Sequence, residues 1–507
     1  MTMTTVGPAQ TTVASRRNQG IVAAAVALLA AFSCQVSGSG SGTGSQTPPQ
    51  DVEPATDVVD AAVADGAGLT SDATAATAAL VAGFDFEVGP AGPCGALLPQ
   101  TPPAPKLHND PKRLVRNQHM TWQHDTATTL TVTWTTEVTD LKAYTPQVVF
   151  GQAEPMCADG RYLFKNGQVA QGTGALYDTV VGESQATLVA WTVELKDLKP
   201  ETDYVFRVGT WAQLDAGAKK LVAPELGKVG HFRTAPTKGT RTAMPFVFAG
   251  DSRGGAKAIT LRSPEYAKIP ALAWFFSGDM NSVGVQTEWN EWFKAFEPIL
   301  DAHPLMPVQG NHEVFAAVYY NQFALPAMPG LPSDYTEHAW ALDFGNVHFV
   351  GLDSNSLESC EDTAKWLAAD LQKTQNDKDI DWTIVQYHHT TYSAGPHGQT
   401  GYVVATWVPL FEKHGVDLVI NGHDHLYERS VPIMANKETT QDKGVTYVVA
   451  GGFFAPPYNN GSKWWTKVSV HGNKNNYAQL LVNGKALTVT AWSGDGKEKL
   501  DEFTLTR

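Results

Sequence analysis

Short apolar runs of strand length govern the chain between residues 107 and 236, where "TLTVTWTT", "PQVVFGQ", "TLVAWTVEL", "DYVFRVGTW" and "VGHFRTA" recur with turn residues between them. Such runs without a sustained helical period predict an antiparallel β-sandwich. From about residue 243 the pattern changes. "TEWNEWFKAFEPIL" puts Trp289, Trp292, Phe293 and Phe296 at i, i+3, i+4 and i+7, the spacing of an amphipathic helix. "WVPLFEKHG" repeats this on a smaller scale with Trp407, Leu410 and Phe411, and Gly415 stops it. Strands alternating with helices predict an α/β domain. Residues 35 to 106 are rich first in Ser/Gly/Thr, then in Ala/Asp/Thr, then in Pro, with no sustained period, which predicts a flexible tether. The expected order is therefore a signal segment (1–34), the tether (35–106), the sandwich (107–238) and the α/β domain (239–507).

The apolar runs of the α/β domain end in a restricted set of polar residues. "MPFVFAG" runs into Asp251, "LAWFFSG" into Asp279 and "HPLMPVQG" into Asn311 and His312. "WTIVQY" runs into His388 and His389, and "GVDLVING" into His423 and His425. Each alone is an ordinary turn or loop residue. Their repetition at successive strand ends is not, because open α/β sheets place ligands at the carboxyl ends of their strands. Oxygen and imidazole donors without thiolate suit zinc, iron or manganese, and there are more of them than one tetrahedral ion needs. Two ions are implied. A pair of ions about 3.5–4 Å apart can clamp the oxygens of an in-line phosphoryl displacement, so hydrolysis of a phosphoric ester follows. In "NGHDHLYERS" the period-two spacing turns His423 and His425 the same way and Asp424 elsewhere.

Charge and cysteine content narrow the partners and the compartment. The 507-residue chain is 43% hydrophobic with a formal charge of -14, and no basic cluster of five or more residues appears, which argues against nucleic acid or an anionic membrane surface as partner. Arg16 and Arg17 precede "GIVAAAVALLAAF", a secretory signal layout too short to span a bilayer comfortably. "LLAAFSC" resembles a bacterial lipoprotein signal in which Cys34 is lipidated; an ordinary cleaved signal and a twin-arginine signal are the alternatives. The expectation is an exported protein in the periplasm, on the outer membrane or outside a bacterial cell, touching membrane only through an N-terminal lipid anchor. Export permits disulfides; Cys94 with Cys157 is the more natural pair, leaving Cys360 buried and inert. The sequence sets no oligomeric state.

The ordered set "GDSRGG", "GDMNSVG", "GNHE", "YHHTTYSAGPHG" and "GHDHLYER", with "HAWALDFGNVHFVGLDS" and "KWLAADLQ", resembles the calcineurin-like metallophosphoesterases, and among them the purple acid phosphatases, over about residues 107 to 505. The resemblance implies a four-layer α/β sandwich, two β-sheets flanked by helices, preceded by an all-β fibronectin type III-like sandwich. In "LKDLKPETDYVFRVGT" it makes Tyr204 a corner tyrosine whose hydroxyl bonds back to the backbone. It implies that Asp251, Asp279 and His425 bind the first metal and that Asn311, His388 and His423 complete the second, with Asp279 bridging. His389 stays structural. His312 and His397 are implied as residues that contact the phosphate and assist the leaving group. The expected cofactors are two divalent or mixed-valence ions of iron, zinc or manganese, and the expected mechanism is attack of a metal-bound hydroxide on phosphorus.

Two positions depart from the family pattern. Ser282 stands where purple acid phosphatases carry a metal-bound tyrosine, and Arg253 where many relatives outside the purple group carry a histidine ligand. A protonated guanidinium cannot ligate; it either clamps a phosphate or packs beside the loop. The leading expectation is an exported phosphomonoesterase acting on small phosphate esters. Its alternatives are a phosphodiesterase acting on nucleotides or lipid head groups, and a surface protein that binds without catalysis. Because serine supplies no phenolate, the purified metal-loaded protein is expected to be free of the purple charge-transfer band; a strong visible band in its absorption spectrum would contradict this.

Overall fold

A computed structural model describes residues 111–507 apart from 155–162, 183, 214–220, 223–226, 314–316, 333–334 and 473. The expected signal segment and tether, and Cys34, Cys94 and Cys157, lie outside the described residues, so the expected disulfide does too. Cys360 is a buried free thiol, pushed up by burial. Among the described residues no helix is long and apolar enough to cross a membrane.

The first part is a β-sandwich of two antiparallel sheets. One runs in the order Arg116–Thr121, Leu130–Thr136, Ser184–Leu195, Thr173–Val181. The other runs Leu163–Gln171, Tyr144–Glu154, Asp203–Gln213, Leu221–Val222, with Gly230–Arg233 also pairing to Asp203–Gln213. Inward positions alternate along the strands and meet as Trp134 and Trp191 from the first sheet and Phe150, Tyr204 and Phe206 from the second, all buried. Trp134 and Trp191 are direct cross-strand neighbours. The Tyr204 hydroxyl accepts from the Lys199 backbone N–H at 2.9 Å, the corner bond that "LKDLKPETDY" implies. Leu163–Gln171 and Thr173–Val181 were not legible, and the second shows why: most of its side chains are exposed or half-buried, so no apolar alternation marks it.

The second part has two sheets packed face to face. The first runs Leu305–Pro307, Ala273–Phe276, Met244–Ala249, Asn476–Asn483, Ala486–Ser493, Lys499–Thr506, with its first three strands parallel. The second runs Ala339–Phe344, Val347–Leu352, Trp382–Tyr387, Leu418–Asn421, Thr446–Ala450, Tyr427–Ser430, Thr466–Ser469, with a parallel centre. An aromatic layer joins them: Phe275 stacks on Phe349 with centroids 4.4 Å apart, and Phe246 meets the same ring edge-on at 4.9 Å. Burying each such ring contributes about 2–3 kcal/mol.

Helices cover both outer faces, completing four layers. Gln286–Leu300 buries Trp289, Trp292, Phe293 and Phe296, the face its spacing predicts. Leu357–Gln375, capped by the Ser356 hydroxyl, and Val408–His414, stopped by Gly415 at φ 70°, pack Leu367, Leu371 and Phe411 with Val350, Val385 and Val419 of the second sheet. The alternate residues Ile384, Leu418 and Ile420 point the other way, into the core between the sheets. The sandwich is pinned to this body by specific bonds as well as apolar contact: the Tyr177 hydroxyl donates to Gln286 Oε1 at 3.0 Å, and the Thr121 hydroxyl to the Ala324 carbonyl at 2.6 Å.

A charge cluster around the buried His348 braces the edge of the second sheet. His348 Nδ1 lies 2.6 Å from Asp343 Oδ1 and Nε2 lies 2.9 Å from Asp370 Oδ2, and Lys238 pairs with Asp343 and Asp377. Burial alone would push the ring down, but the two carboxylates outweigh it and raise His348 to about 9. A group whose folded value is raised stabilises fully below its unfolded value and loses that contribution as pH rises through the folded one. Between pH 6.5 and about 9 the folded protein is therefore expected to lose on the order of 3 kcal/mol through His348. Thermal melting across that window should slope downward in the native chain and less in His348→Gln; parallel slopes would contradict the assignment.

Candidate metal centre

Every candidate ligand sits just past the carboxyl end of a strand. Asp251 follows Met244–Ala249, Asp279 follows Ala273–Phe276, Asn311 and His312 follow Leu305–Pro307, His388 follows Trp382–Tyr387, and His423 and His425 follow Leu418–Asn421. The two sheets thus deliver their loop residues to one edge. Asp251, Asp279 and His423 adopt left-handed backbone conformations, with φ of 59°, 55° and 69°. Each costs about 1 kcal/mol in an L-residue, strain that the surrounding loops must hold. Gly278 and Gly310 let two of these loops touch: a Cβ on Gly310 would stand 2.2 Å from the Asp279 nitrogen, and one on Gly278 would stand 2.6 Å from the Gly310 Cα.

Two groups of donor atoms lie within 4.8 Å of one another, Asp251 with Asp279 and His425, and Asp279 with His388 and His423. Asp279 belongs to both. Asn311 joins the second group through Oδ1, 2.9 Å from His388 Nε2. Asp251, Asp279, His388 and His425 are buried, while Asn311, His312 and His423 are half-buried toward the opening.

Backbone carbonyls set the tautomers. His388 Nδ1 donates to the Ser277 carbonyl at 2.7 Å and His425 Nδ1 to the Pro456 carbonyl at 2.7 Å, since a carbonyl can only accept. In the neutral rings that leaves a lone pair on each Nε2. Around His388 Nε2 stand two further acceptors, Asn311 Oδ1 and Asp279 Oδ1 at 3.3 Å, with His423 Nδ1 at 3.2 Å. Lone pairs so arranged repel unless a proton or a metal cation lies among them. The titration preferences say the same: burial would push His388 down, yet Asp279 and Asp251 outweigh it and hold the ring at about 9. Burial and the His388 charge drive His423 far below the usual imidazole range. Burial would raise Asp279, but His388 and His312 bring it well below the usual carboxylate range. A set of anionic oxygens and imidazole lone pairs with tautomers fixed from behind fits borderline divalent cations.

The remaining predicted residues ring this cluster. Arg253 places Nη1 2.6 Å from His312 Nε2, Nη2 3.3 Å from His425 Nε2 and Nε 3.7 Å from Asp279 Oδ2. His312 Nδ1 donates to the Ser282 carbonyl at 2.5 Å, so the backbone of that position anchors a histidine. His397 stands over His423 with ring centroids 4.0 Å apart. His389 belongs to neither donor group; its Nδ1 lies 3.0 Å from Ser354 Oγ and its ring packs 4.5 Å from His423.

Three functional neighbours escaped the sequence reading. Glu313, fully buried, accepts the backbone N–H groups of Asp279 at 2.8 Å, Gly310 at 2.9 Å and Asn281 at 3.0 Å, tying two ligand loops together. Burial and the Asp279 charge raise it to about 7. Asp424, the residue turned away between the two histidines, accepts from His397 Nδ1 at 2.7 Å and from the Ser393 hydroxyl at 2.5 Å. Tyr458 stacks on His425 at 4.1 Å and its hydroxyl accepts from Arg253 Nη2 at 3.2 Å. Of these, Glu313 and Asp424 lay inside quoted motifs; only Tyr458 had no local signal.

Comparison with known proteins agrees with this geometry. Residues 244–427 match the calcineurin-like phosphoesterase family and residues 115–234 match the purple acid phosphatase N-terminal domain. The chain is 27% identical over 281 residues to an uncharacterised protein of Mycobacterium tuberculosis, covering 47% of this chain and 50% of that one. It is 27% identical over 273 residues to purple acid phosphatase 21 of Arabidopsis thaliana, covering 51% and 57%. The chain spans about half the length of the curated relatives it matches. Its fold is similar to that of a purple acid phosphatase from yellow lupin (Lupinus luteus) seeds, with a TM-score of 0.62 at 18% identity over 78% of this chain and 75% of that one. The class is thus marked in both parts of the chain: residues 244–427 form a calcineurin-like phosphoesterase domain. Ahead of it the chain carries a purple acid phosphatase N-terminal domain, which makes it similar to the purple acid phosphatases.

Glu313→Gln keeps the volume but turns an amide NH2 toward backbone donors. Metal retained after dialysis, counted by mass spectrometry, is expected to fall with a loss of affinity of about tenfold or more; unchanged retention would show that Glu313 does not position the ligand loops.

Proposed function

We propose that the protein is an exported, binuclear metal-dependent phosphomonoesterase that hydrolyses small phosphate esters. The observation that carries the reading is the pair of donor groups sharing Asp279, set among the strand ends of a metallophosphoesterase fold. Export is supported by the arginine pair and apolar run ahead of Cys34. Bound there, two cations would lower the pKa of water and neutralise charge on the phosphoryl oxygens.

The chain's own groups divide the remaining work. Arg253 offers guanidinium donors to a phosphate oxygen, a fork geometry suited to that anion. His312 holds Nε2 toward the same space, its Nδ1 proton committed to the Ser282 carbonyl. His397 is the leaving-group acid: Asp424 fixes its ring through Nδ1, so a proton on Nε2 can pass to the ester oxygen as the phosphorus–oxygen bond breaks. Asp424 is itself buried and acts through His397.

Hydrolysis of p-nitrophenyl phosphate after reconstitution with zinc, iron or manganese tests the reading, with bis(p-nitrophenyl) phosphate separating monoesters from diesters. Turnover of the monoester is expected to exceed that of the diester and to fall more than about 10³-fold in Asp279→Ala. His397→Ala and Asp424→Asn should slow an alkyl phosphate by about 10²-fold while leaving p-nitrophenyl phosphate far less affected, because its leaving group needs no proton. Equal losses on both esters would remove His397 from that role, and absence of turnover with every metal would favour a binding protein.

A further inference from the structure

The two donor groups differ in what surrounds them. Against the Asp279–His388–His423 group packs a further imidazole, His389, 5.2 Å from His388 and 4.5 Å from His423 between ring centroids. Against the Asp251–Asp279–His425 group lies a guanidinium. Arg253 Nη2 is 3.3 Å from His425 Nε2, the nitrogen whose lone pair would serve a metal once Nδ1 has given its proton to the Pro456 carbonyl. Arg253 Nε is buried, makes no hydrogen bond and stands 3.7 Å from Asp279 Oδ2. Two of the three donors in this group therefore already face a fixed positive charge.

That charge is also held in place. Nη1 reaches His312 Nε2 at 2.6 Å and Nη2 reaches the Tyr458 hydroxyl at 3.2 Å. Tyr458 is in turn locked to His425 by ring stacking at 4.1 Å and by its own backbone N–H, which donates to the His425 carbonyl at 2.9 Å. Arginine does not give up its proton in a protein. A divalent ion entering this group meets a like charge at close range in a partly buried setting, where repulsion is screened less than in water.

We propose that Arg253 is an internal cation that competes with the metal ion of the Asp251–Asp279–His425 group, so that the chain holds its two ions with unequal affinity. The ion at the His388–His423 group is the tightly held one; the other is exchangeable. The inference rests on the proposed metal-binding role of these residues and adds an order of occupancy to it.

The full-length chain, stripped with a chelator and titrated with Zn²⁺ in a calorimeter, tests this, with bound zinc counted after gel filtration. The native chain is expected to keep one ion through gel filtration and to bind a second about tenfold or more weakly. Arg253→Met, which keeps length and loses charge, is expected to bind the second ion about tenfold or more tightly than the native chain does, with the first unchanged. Arg253→Gln is the second variant, and melting of the zinc-free proteins establishes that both are folded. Two ions of equal affinity in the native chain, or no gain in either variant, would overturn the competition while leaving the metal centre standing. Failure of every chain to bind zinc would remove the proposed function along with it.

Discussion

The constraint on which this structure turns is the meeting of electron-pair donors around His388 Nε2. An amide oxygen, a carboxylate oxygen and a second imidazole nitrogen all approach it within 3.3 Å, and the far side of the ring is committed to a backbone carbonyl. Lone pairs, one of them on a carboxylate, do not gather in this way in a buried site unless a proton or a metal cation compensates them. The rest of the α/β domain can be read as the apparatus that enforces the gathering. The aromatic layer between the sheets aligns their carboxyl ends, facing glycines let the loops close, and Glu313 gathers three backbone donors from two of those loops.

Much of this was legible because the catalytic loops are short and follow apolar strands directly. Asp251, Asp279, Asn311, His388, His423 and His425 stand within a few residues of their strands, so their positions marked them as strand-end residues, and the structure brings their donor atoms together from two sheets. The helix at Gln286–Leu300 was equally plain, because its buried aromatics keep a single helical face. The three C-terminal strands were not read. Their alternation is diluted by polar outward residues such as Gln479, Thr488 and Glu502, although the first two are joined by a two-residue hairpin turn at Gly484-Lys485, with Gly484 at φ 56°.

What sequence could not supply was direction. "GHDHLYER" shows that Asp424 turns away from its neighbours but not that it meets His397, which is 27 residues distant. Arg253 was weighed as a phosphate clamp or a packing residue, and the structure gives it a third setting, between the donors of the first group and Tyr458. That setting joins the two departures from the family pattern. Ser282 contributes its carbonyl to His312 Nδ1, and Arg253 meets Nε2 of the same imidazole, so both unusual positions act on one histidine.

The most direct test of the account is the electron paramagnetic resonance spectrum of the chain as Mn²⁺ is added to saturation. If two ions shared the Asp279 carboxylate they would be exchange-coupled. The account predicts that the hyperfine lines of isolated Mn²⁺ give way to a coupled-pair spectrum as the second equivalent binds. Lines of isolated ions that grow in proportion through the second equivalent, with no coupled signal, would contradict a shared Asp279 and with it the binuclear centre.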